Sequence, residues 1–186
     1  MKKSIGAKPT MLPLPALIIA TYDEDGMPNA MQVGWGIQVS MSQIEINLSQ
    51  HKTTDNIFAK KAFTCAIADE AHVVEADYFG IATGKKEDKA AKSGLTFEPS
   101  ANVDAPVIEE FPLTMECTVD SIEEANGDWR ITATVVNTLA DESILVEKDG
   151  IDMAALKPIC FNFTTRTYHA VGAQVGQAWH DGLALK

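Results

Sequence analysis

Between Leu113 and Val136, apolar and polar residues alternate on both sides of one dipeptide, Asn126-Gly127. Leu113, Met115, Cys117 and Val119 are interleaved with Thr114, Glu116, Thr118 and Asp120. Beyond the dipeptide, Trp129, Ile131, Ala133 and Val135 are interleaved with Arg130, Thr132, Thr134 and Val136. A side-chain period of two marks a strand with one buried face. Asn-Gly supplies the positive φ values that a two-residue hairpin turn needs. The stretch therefore predicts a long antiparallel hairpin.

The rest of the chain supplies more strands. Ala16–Tyr22 is a continuous apolar run, read as a strand buried on both faces. Asp25-Gly26 and Pro28 then make a turn, and Ala30–Val39 returns as a second strand. Gly34 and Gly36 flank Trp35 inside it, which indicates either a bulge or the close approach of something flat. Ile44–Ser49 alternates, Phe63–Ala68 reads as a buried strand, Ile144–Val146 as a short one, and Ile159, Phe161 and Phe163 alternate again. Helices are expected at Asp55–Lys61, Glu70–Phe79 and Lys85–Lys92, the last stopped by Gly94 as a C-cap. Residues 97–106 read as a loop. Many strands with hairpin turns and a few short helices predict a mainly β fold, a closed antiparallel barrel with helical insertions.

The chain has 186 residues, enough for one domain spanning 1–186 with a substantial core. A net charge of −11 argues against a nucleic-acid surface and against a basic membrane-binding patch, so no nucleic acid and no membrane are expected as partners. Three scattered cysteines, Cys65, Cys117 and Cys160, without a C-x-x-C pair read as inert buried thiols and suit a reducing cytoplasm. The four histidines have no ligand spacing, so no metal site is expected. No catalytic nucleophile motif and no phosphate-cradling glycine loop is present; chemistry here would come from a cofactor.

One loop invites such a ligand. Ser49-Gln50-His51-Lys52-Thr53-Thr54 precedes a helix-like run. A helix N-terminus has unpaired N–H groups and partial positive charge, so Lys52 with two threonines suits a phosphate. From this loop alone, an N-cap and a solvated lysine is the commoner reading of the same residues, since most helix starts bind nothing.

In order and spacing the chain resembles the flavin reductase-like family, whose fold is an FMN-binding split β-barrel, antiparallel and Greek-key-like. The resemblance rests on Pro13–Pro15 before an apolar strand, on Asp25-Gly26-Met27-Pro28-Asn29-Ala30-Met31 leading to Gly34-Trp35, and on Ser49–Thr54 with Asn56-Ile57. It continues through Thr83-Gly84 with Asp88-Lys89, Gly94-Leu95, Ala105-Pro106, Met115-Glu116-Cys117 and a late Tyr168. Two positions depart from the pattern. Ser42-Gln43 stands where a proline is frequent, and Lys89 precedes Ala90 where an aromatic is frequent.

The resemblance implies FMN as cofactor. Its phosphate would lie near Ser49, Gln50, His51, Lys52, Thr53 and Thr54, and its ring against Asn29, Ala30 and Met31. Trp35 is read either as a ring neighbour or as a core residue. Thr83, Gly84 and Lys89 would approach from the other side, and Tyr168 is read either as a contribution from a partner subunit or as core. The implied function is an electron carrier or an NAD(P)H:flavin oxidoreductase, working as a homodimer with a redox protein or NAD(P)H as electron donor. Two alternatives stay open: a split-barrel flavoenzyme oxidising a small substrate, and a barrel that binds a flavin without turnover. Adding NADH and NADPH to the flavin-loaded protein without oxygen separates them. The apolar run Val171–Trp179 follows the last expected strand with no later element to cover it, so it folds back over its own barrel or meets a second copy.

Overall fold

A computed structural model describes residues 1–186. The strands in chain order are β1 (Leu14–Pro15), β2 (Leu17–Tyr22), β3 (Pro28–Val33), β4 (Gly36–Gln38) and β5 (Gln43–Leu48). Helix α1 (Lys52–Lys60), β6 (Ala62–Ile67), α2 (Val73–Ile81) and α3 (Lys89–Ser93) come next. Then follow β7 (Phe97–Pro99), β8 (Pro106–Ile108), the long pair β9 (Leu113–Ala125) and β10 (Asp128–Ala140), and the short β11 (Leu145–Val146) and β12 (Gly150–Ile151). Helix α4 (Met153–Leu156), β13 (Ile159–Asn162) and β14 (Thr167–Ala170) close the series.

The main sheet runs β3-β2-β6-β9-β10-β5-β4, with every pairing antiparallel. β5 and β6, consecutive across α1, are separated in the sheet by β9 and β10, a Greek-key-like order. The two sheet edges, β3 and β4, are successive pieces of one segment. Past Val33 that segment leaves β2, and Asn47 N–H donates to the Trp35 carbonyl at 2.8 Å to start its pairing with β5. The sheet thus curls back on itself: the fold is a split β-barrel, mainly β with short helical insertions. Gly36 allows the closure. A Cβ there would lie 2.4 Å from Leu17 Cδ1 and 3.2 Å from Ile46 Cγ2.

Alternation sorts the core into two layers. Leu17 and Ile19 of β2 point into the barrel with Ile46, Phe63, Cys117 and Ile131. Ile18 and Ala20 point outward into a second layer with Ala76 and Phe79 of α2 and Ile108. β2 is therefore buried on both faces, as its unbroken apolar run predicts. Each fully buried Ile or Phe in these layers contributes about 1.5–3 kcal/mol.

Several expectations need correction. The Ala30–Val39 strand is broken at Gly34-Trp35, because its two halves serve opposite sheet edges. The Lys85–Lys92 helix shrinks to α3, since Asp88 caps it by accepting from Ala91 N–H at 3.0 Å; Gly94 ends it at φ +71°, as expected. α1 begins three residues earlier than expected, at Lys52, and α2 covers Val73–Ile81 rather than Glu70–Phe79. Residues 97–106 are not simply a loop: β7 pairs with β8, with prolines at both strand ends nearest the connection. Ile144 lies in a 3₁₀ turn, leaving only Leu145–Val146 extended. The Asn126-Gly127 turn has φ of +57° and +87°, as the hairpin requires. No helix is long and apolar enough to cross a membrane.

Candidate functional site

α1 is tied to the β2–β3 hairpin by two buried side-chain hydrogen bonds. Thr21 and Asn29 are cross-strand partners. Asn56 Nδ2 donates to Thr21 Oγ1 at 2.9 Å, and Asn29 Nδ2 donates to Thr53 Oγ1 at 2.8 Å. All four residues are buried. Because Thr53 and Asn56 are three apart on α1, they share a face and meet the hairpin as a pair.

The Thr83-Gly84 turn closes against this junction. A Cβ on Gly84 would fall 2.1 Å from Asn29 Oδ1 and 3.2 Å from Lys52 Cδ. Only glycine permits that approach. Lys52 runs past it to Asp23, Nζ to Oδ2 2.9 Å. Partial burial opposes the Asp23 charge, but Lys52 and the N–H groups of Met27 and Asp25 hold the carboxyl below its ordinary range. Lys85 is likewise paired, with Asp55 at 3.0 Å. These groups line a cleft of about 540 Å³ on one side of the α1 start.

A larger cleft of about 620 Å³ lies on the other side, with Ser49 and His51 in its wall. Its apolar wall comes from Met31, Val33, Trp35, Leu48 and Phe161. Gln32, Asn47 and Arg130 supply polar groups. Trp35 is 60% exposed here, so it is a cleft residue and not part of the core. β3, an edge strand with β2 as its sole ladder partner, leaves every second backbone group of Asn29–Met31 directed away from the sheet.

Other sequence-predicted residues are engaged inside the protein. The Thr54 hydroxyl donates to the Ser49 carbonyl at 2.7 Å and accepts from His51 N–H at 3.3 Å. Thr54 has no exposed surface, and these two bonds make its side chain a cap of the helix start. Gln50 is committed to Trp129, whose Nε1 donates to its Oε1 at 2.8 Å, and to Asp55. Lys89 is not at the cleft either. It is 3% exposed, and its Nζ donates to the Phe79 and Ala82 carbonyls at 3.0 and 3.3 Å, closing the C-terminal end of α2. Burial pushes its ammonium pKa down to about 8, against the pull of Glu87.

Tyr168 packs on Phe161, ring centroids 5.5 Å apart, and its hydroxyl donates to Asp77 Oδ1 of the same chain at 3.0 Å. Burial, with Asp77 alongside, pushes the phenol up to about 12. Thr83 is exposed and forms the turn, Lys86 N–H donating to its carbonyl. Burial also raises Cys65 to about 12 and Cys117 further, as inert thiols require.

Sequence reasoning missed Gln32, Arg130 and Phe161 as cleft residues. Gln32 carried a usable signal, a long polar side chain between Met31 and Val33 in an apolar strand. Phe161 carried none, because β13 reaches the cleft only through tertiary packing.

An FMN requires a flat slot edged by donors, and a cation beside free N–H groups for its phosphate. The edge strand, the Met31–Trp35 wall, and Lys52 at the first turn of α1 fit that requirement. Gln32 Nε2, buried against this cleft without a partner, adds a donor that a ligand acceptor would satisfy.

Comparisons with known proteins agree with this geometry. Residues 10–155 match the flavin reductase like domain. The flavoredoxin of Desulfovibrio vulgaris (Miyazaki F) superposes with a TM-score of 0.93 and 34% identity, covering 98% of this chain and 100% of that one. Flavoredoxin from Methanosarcina acetivorans superposes at 0.91 with 22% identity, covering 100% of both chains. An FMN-binding protein from Thermus thermophilus, solved with bound 1-cyclohex-2-enone, superposes at 0.80 with 13% identity, covering 95% of this chain and 99% of that one. The latter two likenesses speak to the fold alone.

Proposed function

Because the chain belongs to the flavin reductase-like family, we propose that it holds FMN at the start of α1 and passes electrons through it, as a flavoredoxin-type carrier or an NAD(P)H:flavin oxidoreductase. A flavin-binding redox protein is the common ground of both roles. The observation that carries the proposal is the convergence of Asn29, Lys52 and Gly84 at one point, tight enough that only glycine fits. Bound FMN would supply the redox chemistry, taking up and returning electrons at its ring.

The chain's own residues would bind and orient it. Backbone N–H groups along Asn29–Met31 would face the electron-rich edge of the ring, where fixed donors favour negative charge. Lys52 and the first-turn N–H groups of α1 would take the phosphate. Trp35 and the apolar wall would exclude water from one face. Asn29 and Thr53 would act through their mutual hydrogen bond, which fixes the strand against the helix.

In this reading the working form is a homodimer in a reducing cytoplasm, where three free thiols persist. Trp35, Ile37, Val39 and Met41 occupy alternate positions along one segment and are all exposed. The C-terminal run does not fold back: Val175 and Trp179 are bare. Two uncovered apolar surfaces on one chain favour self-association.

The test is spectroscopic. The purified protein is expected to show a flavin absorbance corresponding to about one FMN per chain, with FMN bound well ahead of riboflavin. Anaerobic bleaching by NADH or NADPH identifies a reductase, and bleaching by dithionite alone identifies a carrier. A colourless protein that takes up no FMN overturns the proposal.

A further inference from the structure

The cleft of about 540 Å³ on the far side of the α1 start has an anionic wall. Asp23, Glu24, Asp25 and Asp55 line it, against two cations, Lys52 and Lys85. Both cations are already engaged, Lys52 by Asp23 at 2.9 Å and Lys85 by Asp55 at 3.0 Å. Glu24 and Asp25 are therefore left without a cation of their own. The turn that carries them is fixed, because the Asp23 carboxylate accepts from Met27 N–H at 2.8 Å and from Asp25 N–H at 3.1 Å. The two carboxylates stay at the cleft.

Lys52 lines this cleft, whereas the wall from Met31 to Trp35 lines the larger one, and the α1 start lies between them. A flavin with its ring in the larger cleft and its phosphate at Lys52 turns its phosphate end towards the smaller one. Anything bonded beyond that phosphate enters it. In FMN nothing follows, and the monoester gathers a charge of about −1.5 to −2 where an ammonium and the first-turn N–H groups of α1 converge. In FAD the first phosphate keeps a single charge, and a second phosphate and adenosine follow. That second anion would lie beyond Lys52, towards Glu24 and Asp25, with no free cation to meet it. The walls of a cleft focus such a field. Room is not what an adenylate lacks, since clefts of about 300–1,000 Å³ hold ligands of drug size.

We infer that Glu24 and Asp25 set the flavin specificity of this chain: they repel the second phosphate of a dinucleotide, so that FMN is taken and FAD refused. This role rests on the flavin reading of the previous subsection and adds to it the residues that choose the flavin. Both side chains are exposed, so each charge shifts the choice by about twofold to threefold. Neither carboxylate makes a hydrogen bond that holds the turn, which leaves their amide variants free to fold as wild type does.

The experiment is a competition on the full chain. Protein is brought to equilibrium by dialysis against mixtures of FMN and FAD, and the bound flavins are resolved by chromatography. Wild type should hold FMN over FAD by about tenfold or more. Glu24→Gln and Asp25→Asn should each narrow that ratio about twofold to threefold and the double variant about fivefold, through a gain in FAD affinity with FMN held within about twofold. Asp25→Lys, which supplies the missing cation, should narrow it further than Asp25→Asn. Equal retention of both flavins by wild type overturns the specificity role and leaves the flavin reading intact. A double variant with the wild-type ratio does the same, since shape or contacts elsewhere then exclude the dinucleotide. A parallel loss of both flavins in the variants also overturns it and makes the turn a structural one. A wild type that retains neither flavin overturns the flavin reading, and the specificity role falls with it.

Discussion

The Asn29 side-chain amide donates to the Thr53 hydroxyl at 2.8 Å, both groups buried, so the edge strand and the first turn of α1 share one internal contact. Removing either partner leaves the other buried and unpaired, at a cost of about 1–3 kcal/mol. Asn29→Ala and Thr53→Val should each lower the urea midpoint accordingly. Their double variant should lose less than the sum of the two, because the residues are in contact. Strict additivity would mean that the bond does not contribute.

Gly84→Ala tests the same junction from the opposite side. The new methyl would lie 2.1 Å from Asn29 Oδ1. Overpacking of this kind costs about 1–3 kcal/mol, and relief requires Asn29 to leave Thr53. Stability and FMN affinity should therefore fall together. Gly94→Ala is the comparison: it adds strain at a positive φ, with nothing within 4 Å of its Cβ, and should spare FMN binding.

A third expectation concerns acid. Glu116 is 1% exposed, and burial works against its charge, but Ser100, Asn137 and Asn102 all donate to it and hold its carboxyl below the usual range. Its folded pKa is depressed. The stabilisation is therefore complete above the unfolded carboxylate pKa of about 4.3 and disappears as pH falls through the lower folded value. Urea unfolding followed below pH 5 should show a shallower acid loss in Glu116→Gln than in wild type. Parallel curves would show that Glu116 does not drive the acid limb.

The hairpin, the two-sided burial of β2 and the position of the Gly94 cap were legible in the sequence because each depends on residues close together in the chain. Alternation and turn chemistry are local signals. The role of Lys89 was not legible, since a lysine near a possible phosphate site gives no sign that its stem turns inward to the last carbonyls of α2. The break at Gly34-Trp35 was missed for a related reason: two flanking glycines mark a disturbed strand, but only the closed sheet shows that the disturbance is the hand-over between its edges. Thr54 carried both readings, cap and phosphate ligand, and its contact with Ser49 O shows the capping role. Gly84 was picked out only through the family resemblance, and the need for glycine there, its close approach to Asn29, is purely tertiary.

Lys52 and Asp23 give the sharpest test of the phosphate end. Lys52 Nζ already has an anion at 2.9 Å, and both side chains are partly exposed, so their pairing is weak in net terms. A phosphate arriving at the α1 start would compete with Asp23 for the same ammonium and would also feel repulsion from it. Asp23→Asn removes the competitor and should raise FMN affinity about threefold to tenfold, increasingly so at low salt. Lys52→Ala should reduce it about tenfold or more, by losing a charge-assisted bond of about 1.5–3 kcal/mol. Riboflavin carries no phosphate, so its affinity should stay level in both variants. Fluorescence quenching titrations of the two flavins against wild type and each variant read out the difference. If Asp23→Asn shifts FMN and riboflavin equally, the phosphate does not bind at Lys52, and the cation serves only to fix the β2–β3 turn to the helix.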